Sequence, residues 1–376
     1  PVFILLIVFF LLFFRNNFLN YKLSNYHIYI ILYIILLGSS FVISTFFSID
    51  PLYSLTRILF TLIIFSLSFY FFWHLCDSLY VQQQNMNLWE TAFVLFAILI
   101  IIGQIIFPEW RSGIGGIRMS GGTNPNFISF FAFFIMITIH FKSIGNGWSK
   151  RRILLWILSI IIIAWSMSRS VLLSIGVLWF CYGMILTLKQ LTLLVKGKLK
   201  RKYLAIPFVF ISVVTFLFLV WKVFMQTSLI DIVIRRVTSL DGWESRMAAW
   251  KVLWPYFTEN IWFGTAGWWN ATHIISENWR PGMASSPHNL YVRLLAEVGI
   301  VGTSITIALP LVLLILLLFN CLREFKVDRI YNQSAFLAST LLSILIGQFF
   351  EDRYLVSVAG LGNSIIIFCI VLSFHY

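Results

Sequence analysis

Ser285-Ser286-Pro287-His288-Asn289-Leu290-Tyr291 sets a titratable imidazole where a long polar loop, 223–288, re-enters a hydrophobic helix. Imidazole exchanges protons near neutral pH, so a histidine at such a junction can act as a general base towards a hydroxyl. Asn289, Arg293 and Glu297 follow at four-residue intervals, so a polar stripe runs from His288 down one helical face. That stripe forms either the wall of a cavity or an ion pair packed between helices. Of the other histidines, His27, His74, His140 and His375 fall in inner loops, at span ends or at the C-terminus, and His273 alone shares the polar loop.

Arginine is the second chemical signal. Arg111, Arg118, Arg169, Arg235, Arg236, Arg246, Arg280, Arg293 and Arg353 all fall on the side of the chain where basic residues are not expected. Guanidinium is planar, permanently charged and grips phosphate oxygens bidentately, so an outward arginine-lined cavity suits a lipid phosphate or diphosphate. Arg169 lies in the short polar break Trp165-Ser166-Met167-Ser168-Arg169-Ser170 between two apolar runs. A charge at that depth faces a partner or a wet cavity, or it snorkels to headgroups. Arg118 precedes Gly121-Gly122-Thr123-Asn124-Pro125-Asn126, a helix start with Asn124 as N-cap and Pro125 at the first helical position. It reads as a gate residue or as a loop cation.

The polar loop carries its own order. Ile230, Val233, Ile234 and Val237 fall on one helical stripe, with Asp231 and Arg235 spaced as a pair, which predicts a helix lying along the interface. Asp241-Gly242-Trp243-Glu244 predicts an N-cap for a second helix that carries Arg246, Trp250, Leu253 and Trp254 and ends before Pro255. Arg246 would then occupy a first turn, near peptide N–H groups that favour anions. The alternative for this segment is a tryptophan belt at the membrane interface. Gly264-Thr265-Ala266-Gly267-Trp268-Trp269 predicts a tight turn with aromatic walls, suited either to stacking on sugars or to interfacial anchoring.

The elements that position these residues are membrane helices. Sixty per cent of the 376 residues are hydrophobic, the mean hydropathy is +0.91, and 27 Lys and Arg stand against only 14 Asp and Glu. Too few charges remain for a soluble surface, and uninterrupted apolar runs select helices over barrel strands. The expected fold is all-α, a polytopic transmembrane bundle of about 11–12 helices in a single membrane domain, 1–376. Runs fall near 2–14, 28–47, 52–75, 88–107, 125–141, 153–166, 170–188, 203–222, 289–319, 332–350 and 356–375. The chain opens on Pro1 and a short run, so part of the N-terminus is expected to lie upstream.

The net charge of +13 does not indicate nucleic acid, because the lysines sit in short loops between spans. Lys142, Lys150, Arg151 and Arg152 mark one cytoplasmic loop, and Lys189, Lys196, Lys198, Lys200, Arg201 and Lys202 mark another. The loop 223–288 then faces outward. Cys76, Cys181, Cys321 and Cys369 are dispersed, with no CxxC spacing, so neither a disulfide nor a metal framework is expected.

Several motifs in order carry a resemblance. They are Arg118 with Gly121, Asn124, Pro125 and Asn126; Ser168-Arg169; Arg246 with Trp250; and His288-Asn289 with Glu297-Val298-Gly299-Ile300-Val301-Gly302. Over roughly 110–305 the chain resembles the O-antigen ligase and O-antigen polymerase superfamily. It departs from that pattern at Gly264 to Gly267, where the family has a tighter Gly-x-Gly, and at Arg169-Ser170, where glycine usually follows the basic residue.

The resemblance implies an inverting, metal-independent glycosyltransferase without cofactor. Its donor is an undecaprenyl-diphosphate-linked glycan, used at the outer face of the bacterial inner membrane. Arg169 and Arg246 would bind the donor diphosphate and His288 would serve the acceptor hydroxyl, with Arg118, Asn289, Arg293, Arg236 and Arg280 as further substrate-binding residues. Arginines fixed against a departing diphosphate stabilise charge that develops only in the transition state. A ligase passes the glycan to lipid A core. A polymerase of O-antigen, capsular or teichuronic glycan passes it to another lipid-linked repeat, with a chain-length regulator as possible partner. A lipid-linked oligosaccharide transporter is the alternative of another class, against which stand the absence of paired repeats and of broken helices in the sequence.

Overall fold

The computed structural model describes residues 25–63, 66, 83–107, 111–112, 118–119, 125–166, 168–195, 241–325 and 327–350. The expected spans 2–14, 203–222 and 356–375 and the interfacial helix around 228–237 lie outside them. The described helices are α1 (Asn25–Thr45), α2 (Pro51–Ile63), α3 (Gln83–Ile106), α4 (Pro125–Asn146), α5 (Lys150–Ser166) and α6 (Arg169–Val195). They continue with α7 (Asp241–Glu259), α8 (Ala271–Glu277), α9 (Leu290–Arg323) and α10 (Asp328–Gly347). A two-residue antiparallel pairing of β1 (Arg111–Ser112) with β2 (Arg118–Met119) sets Arg111 opposite Met119. The protein is an all-α membrane protein. Four of its described helices, Ile128–Asn146, Arg169–Leu193, Leu290–Arg323 and Asp328–Gly347, are long and apolar enough to cross a bilayer.

The bundle core is built from α4, α6, α9 and α10. Phe133, Met136, Val171, Leu178, Leu313, Phe336 and Leu341 are buried there, while other leucines and isoleucines of α6 and α9 face outward. α6 and α10 run antiparallel. At one end Lys189 Nζ lies 2.8 Å from Asp328 Oδ1, and the Tyr331 hydroxyl donates to the Ile185 carbonyl at 3.0 Å. The turn between α4 and α5 belongs to this same end, since Arg329 and Gln333 pack on Gly145. Lys142, Lys150, Arg151 and Arg152 therefore share one end of the bundle with Lys189, while Lys196 to Lys202 lie outside the described residues.

At the other end α9 is not continuous. Gly299 adopts φ 63° and ψ −165°, a region essentially reserved for glycine, and the helix breaks there. The loop after α7 enters the break. Ile300 N donates to the Ile261 carbonyl at 2.9 Å, Val301 N to the Trp262 carbonyl at 3.1 Å, and Ala266 N to the Ala296 carbonyl at 3.1 Å. The backbone groups that a straight helix would pair internally are thus satisfied by the loop, as a low-dielectric environment requires. A Cβ on Gly299 would overlap the Trp262 and Phe263 backbone, and one on Gly264 would overlap the Ala296 carbonyl. The absence of a broken helix, expected from the sequence, is corrected: the surrounding residues are apolar, so hydropathy runs straight through the break.

A second, smaller core sits beside this junction. Ala249 and Leu253 of α7 pack with Ala266, Ala271, Ile274, Ile275, Met283 and Ala296. Pro255, expected to follow the helix, lies inside α7, which continues to Glu259. Arg246 is accordingly the sixth residue of α7 and stands in its second turn rather than its first.

Candidate functional site

The peptide carrying His288 is held from both sides. Upstream, Ala284 N donates to the Ser245 carbonyl at 3.0 Å, and the Trp250 indole N–H donates to the Pro287 carbonyl at 2.7 Å. Downstream, Leu290 N donates to the Gln348 carbonyl at 3.0 Å, and the Tyr291 hydroxyl donates to the Leu345 carbonyl at 2.7 Å. His288 itself has φ 47°, a left-handed conformation uncommon for a residue with a Cβ. Such strain persists only where neighbours over-determine the backbone, and four hydrogen bonds do so here. The side chain is half-buried.

Asn289 is buried, and its Oδ1 accepts from Val292 N at 3.1 Å, so it caps α9. Arg246 is half-buried and lies one helical turn before Trp250 on the same face. The helix that grips the peptide before His288 therefore also carries Arg246.

Arg169 reaches the same end by a different route. It is the first residue of α6, and the Tyr331–Ile185 bond fixes the register of α6 against α10. Sixteen residues separate Ile185 from Arg169 and sixteen separate Tyr331 from Gly347, so antiparallel helices of equal rise bring Arg169 level with Gly347. Gln348 follows immediately and accepts from Leu290. Arg169 is half-buried between Ser168 and Ser170, both buried, whose hydroxyls lie 3.3 Å apart. Arg169, Arg246 and His288 thus share the end of the bundle opposite Lys189 and Asp328.

The polar stripe resolves into an ion pair. Arg293 Nε lies 3.1 Å from Glu297 Oε1, which also accepts from Ala271 N at 3.0 Å. Arg293 is 4% exposed and its guanidinium stands 4.0 Å from the Trp269 ring centroid. Glu297 has no exposed surface. The pair fastens α8 and the Trp268-Trp269 turn to the first part of α9. Neither proposed role for those aromatic walls fits Trp268, which is fully buried, stacks on Phe41 at 4.2 Å and donates to Thr61 Oγ1 at 3.0 Å.

The remaining sequence candidates are placed less closely. Arg118 lies in β2, which packs against α5. Arg280 is exposed in a turn closed by Met283 N to its carbonyl, 3.0 Å. Arg236, with Arg235 and Arg353, falls outside the described residues. His273 is exposed on α8, where Nε2 lies 3.1 Å from Glu277 Oε1. Gln348 escaped sequence reasoning altogether, since it acts through its backbone carbonyl and no residue type signals that. Among the described residues no three His, Cys, Asp or Glu side chains gather as a metal-holding group.

A search of curated proteins finds no match to the chain. A family model described as O-antigen ligase matches residues 153–307, from α5 to the first half of α9, and so includes Arg169, Arg246 and His288. That match covers the segment that builds this end of the bundle and supports a likeness to the O-antigen ligase and O-antigen polymerase superfamily.

Proposed function

We propose that the chain is an inverting glycosyltransferase of the ligase type. It would move a glycan from undecaprenyl diphosphate to an acceptor hydroxyl of lipid A core, at the outer face of the bacterial inner membrane. The observation that carries the reading is the Trp250–Pro287 bond, because it joins the helix of Arg246 to the peptide of His288. Lys142, Lys150, Arg151, Arg152 and Lys189 at the opposite end support an outward orientation for the loop that carries His288.

His288 accepts the proton of the acceptor hydroxyl as its oxygen attacks the anomeric carbon. The bond from that carbon to the diphosphate oxygen breaks, and the diphosphate leaves with the electron pair. Arg169 and Arg246 hold its oxygens and stabilise the growing charge, with no divalent ion assigned a step. One in-line displacement inverts the anomeric centre.

The test is reconstitution of the purified protein with lipid-linked glycan, with either lipid A core or further lipid-linked glycan as acceptor, with and without EDTA. Ligation to lipid A core in EDTA is the expected result. Growth of the lipid-linked glycan instead would assign a polymerase, and movement of intact donor across the bilayer without transfer would assign a transporter. Since α9 is broken, helix continuity no longer argues against the last.

A further inference from the structure

The outer end of the bundle exposes large apolar side chains where helices turn rather than where they span. On α7, Trp243 is 44% exposed, Met247 38% and Trp254 53%. At about 100° per residue these three fall within about 40° of one another and form one ribbon. Glu244, Lys251 and Glu259 are exposed further round the helix, while Arg246 and Trp250 border the ribbon on its other side. The ribbon leads to the loop after α7, where Trp262 is 64% exposed.

This loop is joined to membrane-crossing helix on one side and to the α1–α2 turn on the other. Trp262 accepts from Val301 of α9, Thr265 accepts from Ile49 N at 3.0 Å, and Phe263 stacks on Phe47 at 5.4 Å. The α1–α2 turn exposes Phe46 at 80%, and the first turn of α2 exposes Leu52 at 74%. The apolar rim is therefore continuous with the lipid-facing flank of α9, and continuity with that flank decides what covers it. A soluble partner would have to seat beside exposed Ile300, on a helix long and apolar enough to cross a bilayer and with exposed leucines and isoleucines along it.

We infer that this rim is a bilayer docking surface: Trp243, Met247, Trp254 and Trp262 seat in the boundary between acyl chains and headgroups of the outer leaflet. α7 then lies in the membrane surface with its charged edge in water. Its other edge, bearing Arg246, is held at the height of lipid phosphates, where tryptophan prefers to reside. The inference rests on the proposed function for its use, the delivery of a lipid diphosphate to Arg246, but not for its measurement.

The test uses the unmodified chain in vesicles of phosphatidylethanolamine and phosphatidylglycerol that contain a lipid with a diazirine near the top of its acyl chain. Illumination and mass spectrometry locate the adducts, and hydroxyl-radical footprinting of the same sample locates water. Adducts on the ribbon and Trp262, with oxidation confined to the Glu244 and Lys251 edge, are expected. Oxidation of the ribbon tryptophans without adducts overturns the inference, and so does protection of those tryptophans by added water-soluble glycan in place of lipid, which would assign a sugar-stacking surface. In the transfer assay, Trp254→Ser with Trp262→Ser should raise KM for vesicle-borne donor at least fivefold and leave kcat within twofold. An unchanged KM with the adducts present would reject the delivery role alone. A protein that shows the adducts but transfers nothing would reject the proposed function and leave the docking surface standing.

Discussion

The Trp250 indole donates at 2.7 Å to the carbonyl of Pro287, 37 residues later in sequence, and so sets the position of the peptide that enters His288. A histidine in a left-handed conformation relaxes when its constraints are removed, and this bond is one of few that hold it. Trp250 therefore couples the arginine of α7 to the imidazole, although it carries no charge and titrates nothing.

Trp250→Phe keeps an aromatic ring against Trp243, whose centroid lies 5.2 Å away, and removes the donor. A lost hydrogen bond of this kind costs about 1 kcal/mol, so glycan transfer should fall roughly fivefold through kcat. Donor binding, measured with radiolabelled lipid diphosphate, should hold. Wild-type kcat would show that the bond does not position His288.

Arg169→Lys and Arg246→Lys preserve charge and lose the planar fork. Transfer by each should drop at least tenfold if two oxygens of the diphosphate are gripped at once. Full activity in both variants would remove the clamp from the mechanism and leave headgroup contact as the role of these residues.

His288→Ala should abolish transfer while lipid-diphosphate binding is retained, if the imidazole acts at the acceptor as proposed. His273→Ala, on exposed α8, should change neither quantity. A His288→Ala protein that transfers at the normal rate reduces the segment to a helix-start feature.

Glu297→Gln leaves an acceptor for Ala271 N but strips the buried Arg293 of its counter-charge. Breaking one side of a buried ion pair costs about 3–5 kcal/mol, which a thermal melt in detergent would register as a marked fall in Tm. Arg293→Met combined with Glu297→Gln should recover part of that loss. If Glu297→Gln alone melts like wild type, the pair is not what fastens α8 to α9.

Gly299→Ala introduces a Cβ where the Trp262 and Phe263 backbone already lies, at dihedrals that glycine alone accepts readily. Loss of folded, monodisperse protein on size exclusion is the expected outcome. Normal yield and melting would mean that α9 can straighten and release the loop.

Much of this was legible in the sequence, and the reason differs from part to part. α4, α6, α9 and α10 follow from uninterrupted apolar runs, because hydrocarbon forces backbone groups to pair within a helix. The His288 segment and Arg169 stood out because polar groups are costly beside such runs. Hydropathy cannot see a break such as Gly299, since Val298 and Ile300 are as apolar as a straight span would need. Nor does any local pattern announce that Trp250 reaches Pro287 or that Gln348 receives Leu290: both depend on the packing of α7 and α10 against α9. Pro255 suggests a helix end, but proline removes one backbone donor and crowds the carbonyl four residues back, and α7 accommodates both one turn before its own end.

The break at Gly299 also makes α9 two rods on one joint. The long rod must tilt when bilayer thickness changes, because its apolar length is fixed and the hydrocarbon around it is not. The short rod, 290–298, takes its alignment from Gln348, Ala266 and Ala271 instead. Tilt can then be absorbed at the joint without swinging the imidazole, so turnover should vary little between bilayers of shorter and longer acyl chains.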